Sequence, residues 1–556
     1  MKNIRLHHTV FPLFLLLVAA FLRLILLRSN WPVTNSDEGT LDLMALHIAR
    51  DYEHPIFFYG QHYMGTIQAY LGAVMIKLFG VSVFSVRLGT LLLFLLSLLC
   101  LYYVTNLLYS QKFALAILAL LCFGSVTLIA TPLIALGGYA ETLLFGALIY
   151  LLTCWLALTA PDASQQIRLL VYAILGCVVG LALWSDQLIL PCVVTAGGLL
   201  LLFCWRDIRT WAAVSLLAGL VVGLLPLISY NLTAVPGQDT FHVLLYTSGL
   251  GAPRVVPLLQ QLAQVFLISL PAATAANPLC KVAEPFHPVG NLTSFFTSRS
   301  PWQCILWQGG WSLGVIVLWC YATIRTATII RQHWQRMRSN PLKTWSREER
   351  QCIVRHAARL MLLVSAALSF ALFAESYAAG HTPQSSARYL LCLLLATPAL
   401  LWPFWPYKER NKIHIAFEYK YIKMLPLLVI LILFIHGTAE AFLDIPTAQK
   451  TYDKQETLIQ HLLSLNITRM YTDYWTCNRL IFQSDEHIIC SSLNPQLKPD
   501  LDRYPPYRAA VRATPHPAYV FPLHSIQAAT LERTKLTLGV HYQRTVFDGY
   551  LVYYYG

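Results

Sequence analysis

The sequence predicts a polytopic α-helical membrane protein with a small α/β domain at its C-terminal end. Three observations predict it. The chain of 556 residues is 56% hydrophobic and only 12% charged, about half the charged share of a typical soluble domain. Apolar runs of roughly 20 residues, the length that crosses a bilayer as a helix, recur between residues 10 and 442. After residue 442 the texture changes to 11 Lys/Arg, 10 Asp/Glu, frequent Tyr and no apolar run of span length.

About eleven spans follow from the hydropathy: 10–28, 82–108, 112–131, 141–160, 168–184, 187–205, 210–230, 304–324, 358–375, 387–406 and 424–442. The first reads as a retained helix, because no small-residue cleavage pattern follows it and Arg23 interrupts it. Lys and Arg collect on the cytoplasmic side of membrane proteins. Segment 325–359 holds nine of them and segment 407–423 five, and the eleven-span reading puts both on one side with Lys2 and Arg5. Residues 29–81 hold only Arg50 and Lys77 against five acids. The expectation is a cytoplasmic N-terminus, a periplasmic or extracellular tail, and residence in the plasma (inner) membrane of a prokaryote. The net charge of +13 lies largely in the inner loops. It speaks for contact with the lipid bilayer and against a nucleic-acid partner.

The organisation expected is a membrane body, 1–442, and a soluble α/β domain, 443–556. Within the body, the first outer loop spans 29–81 and a long outer loop spans 231–303, with a surface helix at 255–270. In the first loop, Leu41–Arg50 has helical spacing that suits the membrane interface, and Met64–Phe79 is a second, short apolar helix. In the tail, Asp453–Leu465 has helical periodicity, whereas Ile467–Trp475, Arg479–Gln483, His487–Ser491 and Tyr542–Tyr555 have strand character. Most of the thirteen cysteines lie in spans. Cys280 with Cys304, and Cys477 with Cys490, are pairs on the outer side for which spacing leaves a disulfide open.

Four polar constellations fall on the outer side. Asp37 and Glu38 open the first loop in Asn35-Ser36-Asp37-Glu38-Gly39, as a general base with support or as hydrated acids at a helix start. Gly137-Gly138-Tyr139-Ala140-Glu141 offers a tight turn and an acid at a span mouth. Asp186, in Trp184-Ser185-Asp186-Gln187, is a site residue or a helix cap. Arg388-Tyr389 places a cation where positive charge is scarce, suited to a lipid phosphate or to snorkelling. His47, His54, His62 and His381 are scattered without ligand spacing, so no metal site is assigned. Asn231-Leu232-Thr233, Asn291-Leu292-Thr293 and Asn466-Ile467-Thr468 match the glycan acceptor pattern. A proton-coupled transporter needs ionisable groups at mid-membrane. The one-sided distribution here favours an enzyme.

The strings Ser36-Asp37-Glu38-Gly39, Pro55-Ile56-Phe57-Phe58-Tyr59-Gly60-Gln61-His62-Tyr63-Met64-Gly65, Gly137–Glu141 and Ala387-Arg388-Tyr389-Leu390-Leu391 carry a family resemblance. The chain resembles the GT-C superfamily of polyprenyl-phosphate-sugar glycosyltransferases. Within it, the resemblance is to the family 39 group, with the protein O-mannosyltransferases and the lipid A aminoarabinose transferase. It implies inverting transfer of a sugar from a polyprenyl-phosphate donor to a lipid, glycan or protein acceptor at the outer face of the cell envelope. Asp37 would be the catalytic base, supported by Glu38. Tyr59, Gln61, His62, Tyr63, Tyr139, Glu141, Asp186, Arg388 and Tyr389 would bind substrate. Some members of the superfamily use a divalent metal and others do not, so the resemblance implies a metal only as an option. Many family 39 members carry a Lys-Pro-Pro-like string in the first loop that meets the lipid phosphate. Here the region reads Tyr59-Gly60-Gln61-His62, which shifts that role to Arg388 or His62. The rival readings are a flippase for a lipid-linked sugar and a non-catalytic assembly protein working through its tail.

Overall fold

The computed structural model describes residues 2–159, 163–247, 256–274, 280, 282, 300–338, 346–406, 417–534 and 541–556. The Asn291 glycan motif, and Lys343, Lys408, Arg410 and Lys412 of the basic segments, lie outside the described residues. The chain is a polytopic helical membrane protein, with nine helices among the described residues long and apolar enough to cross a bilayer. Two of the eleven expected spans are not among the nine. Residues 112–131 divide into Gln111–Leu121 and Val126–Ala130, because Ser125 starts a new helix by accepting the Leu128 N–H at 3.2 Å. Residues 187–205 form a shorter apolar helix, Gln187–Phe203.

The chain forms two compact units; one cut falls at the expected place, beside residue 442, but two segments of the expected membrane body join the tail's unit. The first comprises Met1–Leu22, Leu93–Pro132 and Tyr139–Ala441; the second comprises Arg23–Leu92, Leu133–Gly138 and Phe442–Gly556. In the first unit, the helices Gln165–Ser185 and Trp211–Thr233 cross at Gly176, Gly180, Gly219 and Gly223. A Cβ at any of these would strike the facing backbone, so the small-residue repeat sets the approach. The expected surface helix at 255–270 is the helical run Leu258–Thr274, with a π-helical turn at Val265–Ser269. Cys280 and Cys304 form a disulfide beside it, packed with Leu267 and Ile268.

The second unit joins the first loop to the tail. A five-stranded mixed sheet has strands β3 (Arg469–Thr472), β4 (Ile489–Ser492), β5 (Ala518–Pro522), β6 (Tyr542–Phe547) and β7 (Tyr550–Tyr555) in the order β4-β3-β5-β7-β6. The β3–β4 and β3–β5 pairs are parallel, and the pairs involving β7 are antiparallel. One hydrophobic cluster combines Met470, Val520 and Val552 of the sheet with Leu458 and Leu462 of the helix Ile445–Ser464. Leu480 and Ile481 of Tyr474–Gln483, and Leu41, Met44 and Ile48 of Ser36–Ala49, belong to it too. A second cluster, with Phe521 and Leu551, packs against Leu531 of the helix Ile526–Thr534.

Residues 479–483, expected as a strand, are helical. The Asp473 carboxylate accepts the Thr476 N–H at 3.1 Å, which caps a helix start. Cys477, Leu480 and Ile481 then fall on one buried face. The disulfide Cys477–Cys490 fastens that helix to β4. The first-loop helix also differs from expectation. Ser36–Ala49 is buried around nearly its whole circumference rather than lying half-submerged at an interface. Its exposed-looking positions are covered by the tail helix Tyr474–Gln483: Asn478 donates to the Thr40 hydroxyl at 2.7 Å, and its backbone N–H donates to the Ser36 hydroxyl at 3.2 Å. Ahead of the next helix, Ile67–Phe79, the chain makes a hairpin of strands β1 (Phe57–Phe58) and β2 (Gln61–Gly65).

Gly39 is the crossing point. A Cβ there would overlap the backbone of Asn478 and Arg479. Overpacking of this kind costs about 1–3 kcal/mol. The Gly39→Ala variant is therefore expected to lower the thermal midpoint of the detergent-solubilised protein. An unchanged midpoint would contradict the close crossing.

Candidate active site

The two adjacent acids of the first loop have different fates. Asn35 caps the helix by accepting the Glu38 N–H at 3.0 Å, so both acids stand in its first turn, about 100° apart around the axis. Glu38 is fully buried, and its carboxylate takes the fork of Arg87, with Nε at 2.7 Å and Nη2 at 2.6 Å. The Ala135 N–H donates to the same carboxylate at 3.1 Å. Glu38 is thus an anchor, which separates it from the chemical role expected for it. Sequence reasoning missed Arg87. The available signal was an arginine inside an apolar stretch, a position that demands a partner. One turn on, Asp42 is also buried, with neither oxygen hydrogen-bonded. Burial, followed by the charge of Glu38, pushes its carboxyl well above the usual range, while Arg87 pulls it down.

Asp37 is the acid that keeps some access to solvent, its side chain 19% exposed. Its Oδ1 accepts from the Tyr474 hydroxyl in a short bond and from Arg503 Nη2 at 3.2 Å. Arg503 Nε donates to the Tyr474 hydroxyl at 2.9 Å. The Gln61 amide oxygen, turned towards the guanidinium, accepts from Nη1 at 3.0 Å and from Nη2 at 3.3 Å. Arg503 also stands over the Phe58 ring, 5.4 Å from its centroid. Burial opposes the charge on Arg503, but Tyr474 and Asp37 hold its pKa above the ordinary value. Burial, then the charge of Asp37, raises the Tyr474 hydroxyl, so it stays a donor. Tyr474 and Arg503 come from the tail, more than 400 residues away in sequence, and nothing local marked them.

A second network lies on the other end of the same helix. His47, one of the scattered histidines, is buried and bonds the Tyr59 hydroxyl at 2.9 Å, the Tyr507 hydroxyl at 2.9 Å and Glu486 at 3.2 Å. Glu53 accepts from Tyr59 at 2.7 Å and from Tyr504 at 2.6 Å. Arg50 bonds Glu486 at 2.8 Å and Asp485 at 2.6 Å. Tyr59, expected to bind substrate, is a buried strut of this network, whereas His62 and Tyr63 on β2 are half-buried. The His47 hydrogen bond first, then that of Tyr507 and the charges of His47 and Arg50, outweigh burial and hold the Glu486 carboxyl down at about 2.

In the first unit, two expected motifs meet. The Tyr139 and Tyr389 rings stack with centroids 6.1 Å apart, and the Arg388 guanidinium lies 5.5 Å from one and 5.8 Å from the other. Glu141 is buried in the first turn of the span Tyr139–Thr159. Asp186 accepts the Leu188 N–H at 2.9 Å, the capping role set beside a site role from sequence. The unit also contains a cavity of about 520 Å³ among the mid-portions of its spans, lined by apolar side chains including Trp311, Trp319, Phe370 and Phe434.

The donor set at Asp37 does not suit a metal. Its Oδ1 faces a phenol and a guanidinium, and no three His, Cys, Asp or Glu side chains gather anywhere among the described residues.

No family model matches the chain, and no curated protein matches it in sequence. Solved structures do match. ArnT from Cupriavidus metallidurans, in crystals bound to undecaprenyl phosphate, superposes with a TM-score of 0.50 at 14% identity, covering 98% of each chain. The same protein in the apo state gives the same figures. The Archaeoglobus fulgidus oligosaccharyltransferase tethered with an acceptor peptide gives a TM-score of 0.49 at 13% identity, covering 98% of this chain and 74% of that one. The fold is thus similar to that of ArnT.

Two outcomes follow from the electrostatics. Removing one partner of a buried ion pair costs about 3–5 kcal/mol, so Glu38→Gln is expected to lower the thermal midpoint sharply, and Asp37→Asn less, because Asp37 is partly exposed and Arg503 keeps Tyr474 and Gln61 as partners. Equal midpoints for the two variants would contradict the division of roles. Glu486 carries a depressed pKa in the folded state, so its stabilisation is present above the ordinary value of 4.5 and lost as the pH falls towards about 2. Glu486→Gln should therefore melt below wild type at pH 7, with the gap closing through that window. A gap of constant size down to pH 2 would rule this out.

Proposed function

We propose that the protein is a membrane glycosyltransferase that moves a sugar from a polyprenyl-phosphate donor to an acceptor at the outer face of the membrane, with inversion. The observation that carries this reading is Asp37. It is the accessible carboxylate of an acid pair whose other member is consumed by a buried arginine, and it stands on a GT-C type fold. An acceptor hydroxyl needs a carboxylate to take its proton, and a half-open, fixed acid supplies one. The acceptor oxygen forms its bond to the anomeric carbon as the bond to the phosphate breaks. The electron pair leaves on the polyprenyl phosphate, and the acceptor's proton passes to Asp37. Attack opposite the leaving group inverts the anomeric configuration.

The carrier is supported from a separate direction. ArnT is known bound to undecaprenyl phosphate, and the apolar cavity of about 520 Å³ in the first unit suits a polyprenyl chain. Arg388, held against two aromatic rings, is the cation proposed for the phosphate. The kinship with family 39, the outward placement of the first loop and tail, and the inner membrane as location are proposed on the motif strings and the Lys/Arg distribution.

The same cavity favours a second reading, a flippase for a lipid-linked sugar. A panel of undecaprenyl-phosphate sugars offered to the purified protein, with Asp37→Asn alongside, separates the two. Release of free undecaprenyl phosphate from one donor, lost in the variant, is the expected result. Wild-type turnover by Asp37→Asn would remove the base role. Saturable binding without turnover, unaffected by the variant, would favour the flippase.

A further inference from the structure

Asp37 has two oxygens, and the structure treats them differently. Oδ1 accepts two donors, the Tyr474 hydroxyl and Arg503 Nη2. Among the described residues no donor reaches Oδ2. The arrangement around Oδ1 is closed. Arg503 spends Nε on Tyr474, Nη2 on Asp37 and Gln61, and Nη1 on Gln61. The Tyr474 hydroxyl has one proton, directed to Asp37, and its own lone pair receives Arg503. Every hydrogen bond in the ring thus has one sense.

The supports of this ring are rigid. Tyr474 is the first residue of a helix capped by Asp473 and crosslinked to β4 through Cys477. That helix lies against the first-loop helix at Gly39, two residues beyond Asp37. Arg503 is 9% exposed and Tyr474 also 9%. Gln61 sits on the β1–β2 hairpin, whose Tyr59 is tied into the His47 network.

We propose that Tyr474 and Arg503 of the tail are positioning residues for Asp37: they occupy Oδ1, fix the plane of the carboxylate, and leave Oδ2 as the oxygen that takes the acceptor's proton. This rests on the glycosyltransferase reading and adds to it. The tail is then a structural part of the catalytic group rather than a cap over it. A carboxylate bonded through one oxygen to two donors on separate supports loses the rotation that a lone side chain keeps. Pre-organisation of this kind matters because a misplacement of about 1 Å costs about 100-fold in rate. The step itself is unchanged: the acceptor's O–H proton moves to Oδ2 as its oxygen bonds the anomeric carbon and the phosphate departs with the electron pair.

The test compares Tyr474→Phe and Arg503→Lys with wild type, using whichever undecaprenyl-phosphate sugar gives the highest wild-type turnover. Tyr474→Phe removes only the hydroxyl. Arg503→Lys keeps the charge and removes the fork. The expected result is a fall in kcat of about 10- to 100-fold for each, with the donor KM within twofold of wild type and the thermal midpoint of Tyr474→Phe little changed. If both variants keep kcat within twofold, or if kcat falls only in proportion to lost folded protein, the two residues merely dock the tail and the proposal is overturned. A wild-type protein inert towards every donor would overturn the glycosyltransferase reading and this inference with it. An active wild type with an indifferent Tyr474→Phe overturns this inference alone.

Discussion

The buried Glu38–Arg87 pair is the constraint from which the rest of the second unit follows. Two charges removed from water at the start of a membrane span are tolerable only with good geometry and full hydrogen bonding. Here the guanidinium fork meets both carboxylate oxygens, and the Ala135 N–H adds a third donor. This fixes the rotation of the helix Ser36–Ala49 about its axis. With Glu38 turned inward, Asp37 is turned elsewhere, because neighbouring residues on a helix diverge by about 100°. The adjacent acids that look equivalent in sequence are thereby assigned different work.

The same rotation explains why the first loop and the tail fold as one unit. It presents Ser36, Gly39 and Thr40 to the tail helix Tyr474–Gln483, which lies so close that only glycine fits at position 39. At the other end of the first-loop helix, His47 and Arg50 reach Tyr507, Glu486 and Asp485. Both ends of one helix are held by the tail, and the hairpin carrying Tyr59 and Gln61 is held between them. A carboxylate at this junction inherits its orientation from chain segments several hundred residues apart.

Much of the fold was legible in the sequence, for a physical reason. Membrane spans are set by local hydropathy, and nine of them emerged near their expected places. The two that did not are regions where capping groups, Ser125 and Asp186, start new short helices. The tail hairpin from Tyr542 to Tyr555 was legible from alternation. The strand Ala518–Pro522 carries no clear alternation, and the apolar residues of Arg479–Gln483 do not by themselves distinguish period 2 from period 3.6, so its helix is not legible from sequence. The candidate site was half legible. Around Asp37, only Asp37 itself and Gln61 carry motifs. Arg87, Tyr474 and Arg503 contribute through long-range contacts, and a single sequence holds no record of which distant residues meet. Glu38, expected to support the base, and Tyr59, expected to bind substrate, are both buried, and Tyr59 and His47 bond partners in one network; the tail's share of that burial is invisible from the loop.

The shared core and hydrogen bonds make the first-loop helix and the tail one cooperative unit around Asp37. Hydrogen–deuterium exchange through a denaturant series tests it most directly, following the amides of Ser36–Ala49 and of Tyr474–Gln483 in the same sample. The two segments are expected to lose protection together, at one denaturant concentration and with one free energy of opening. Retention of protection in Ser36–Ala49 after Tyr474–Gln483 has opened would contradict it.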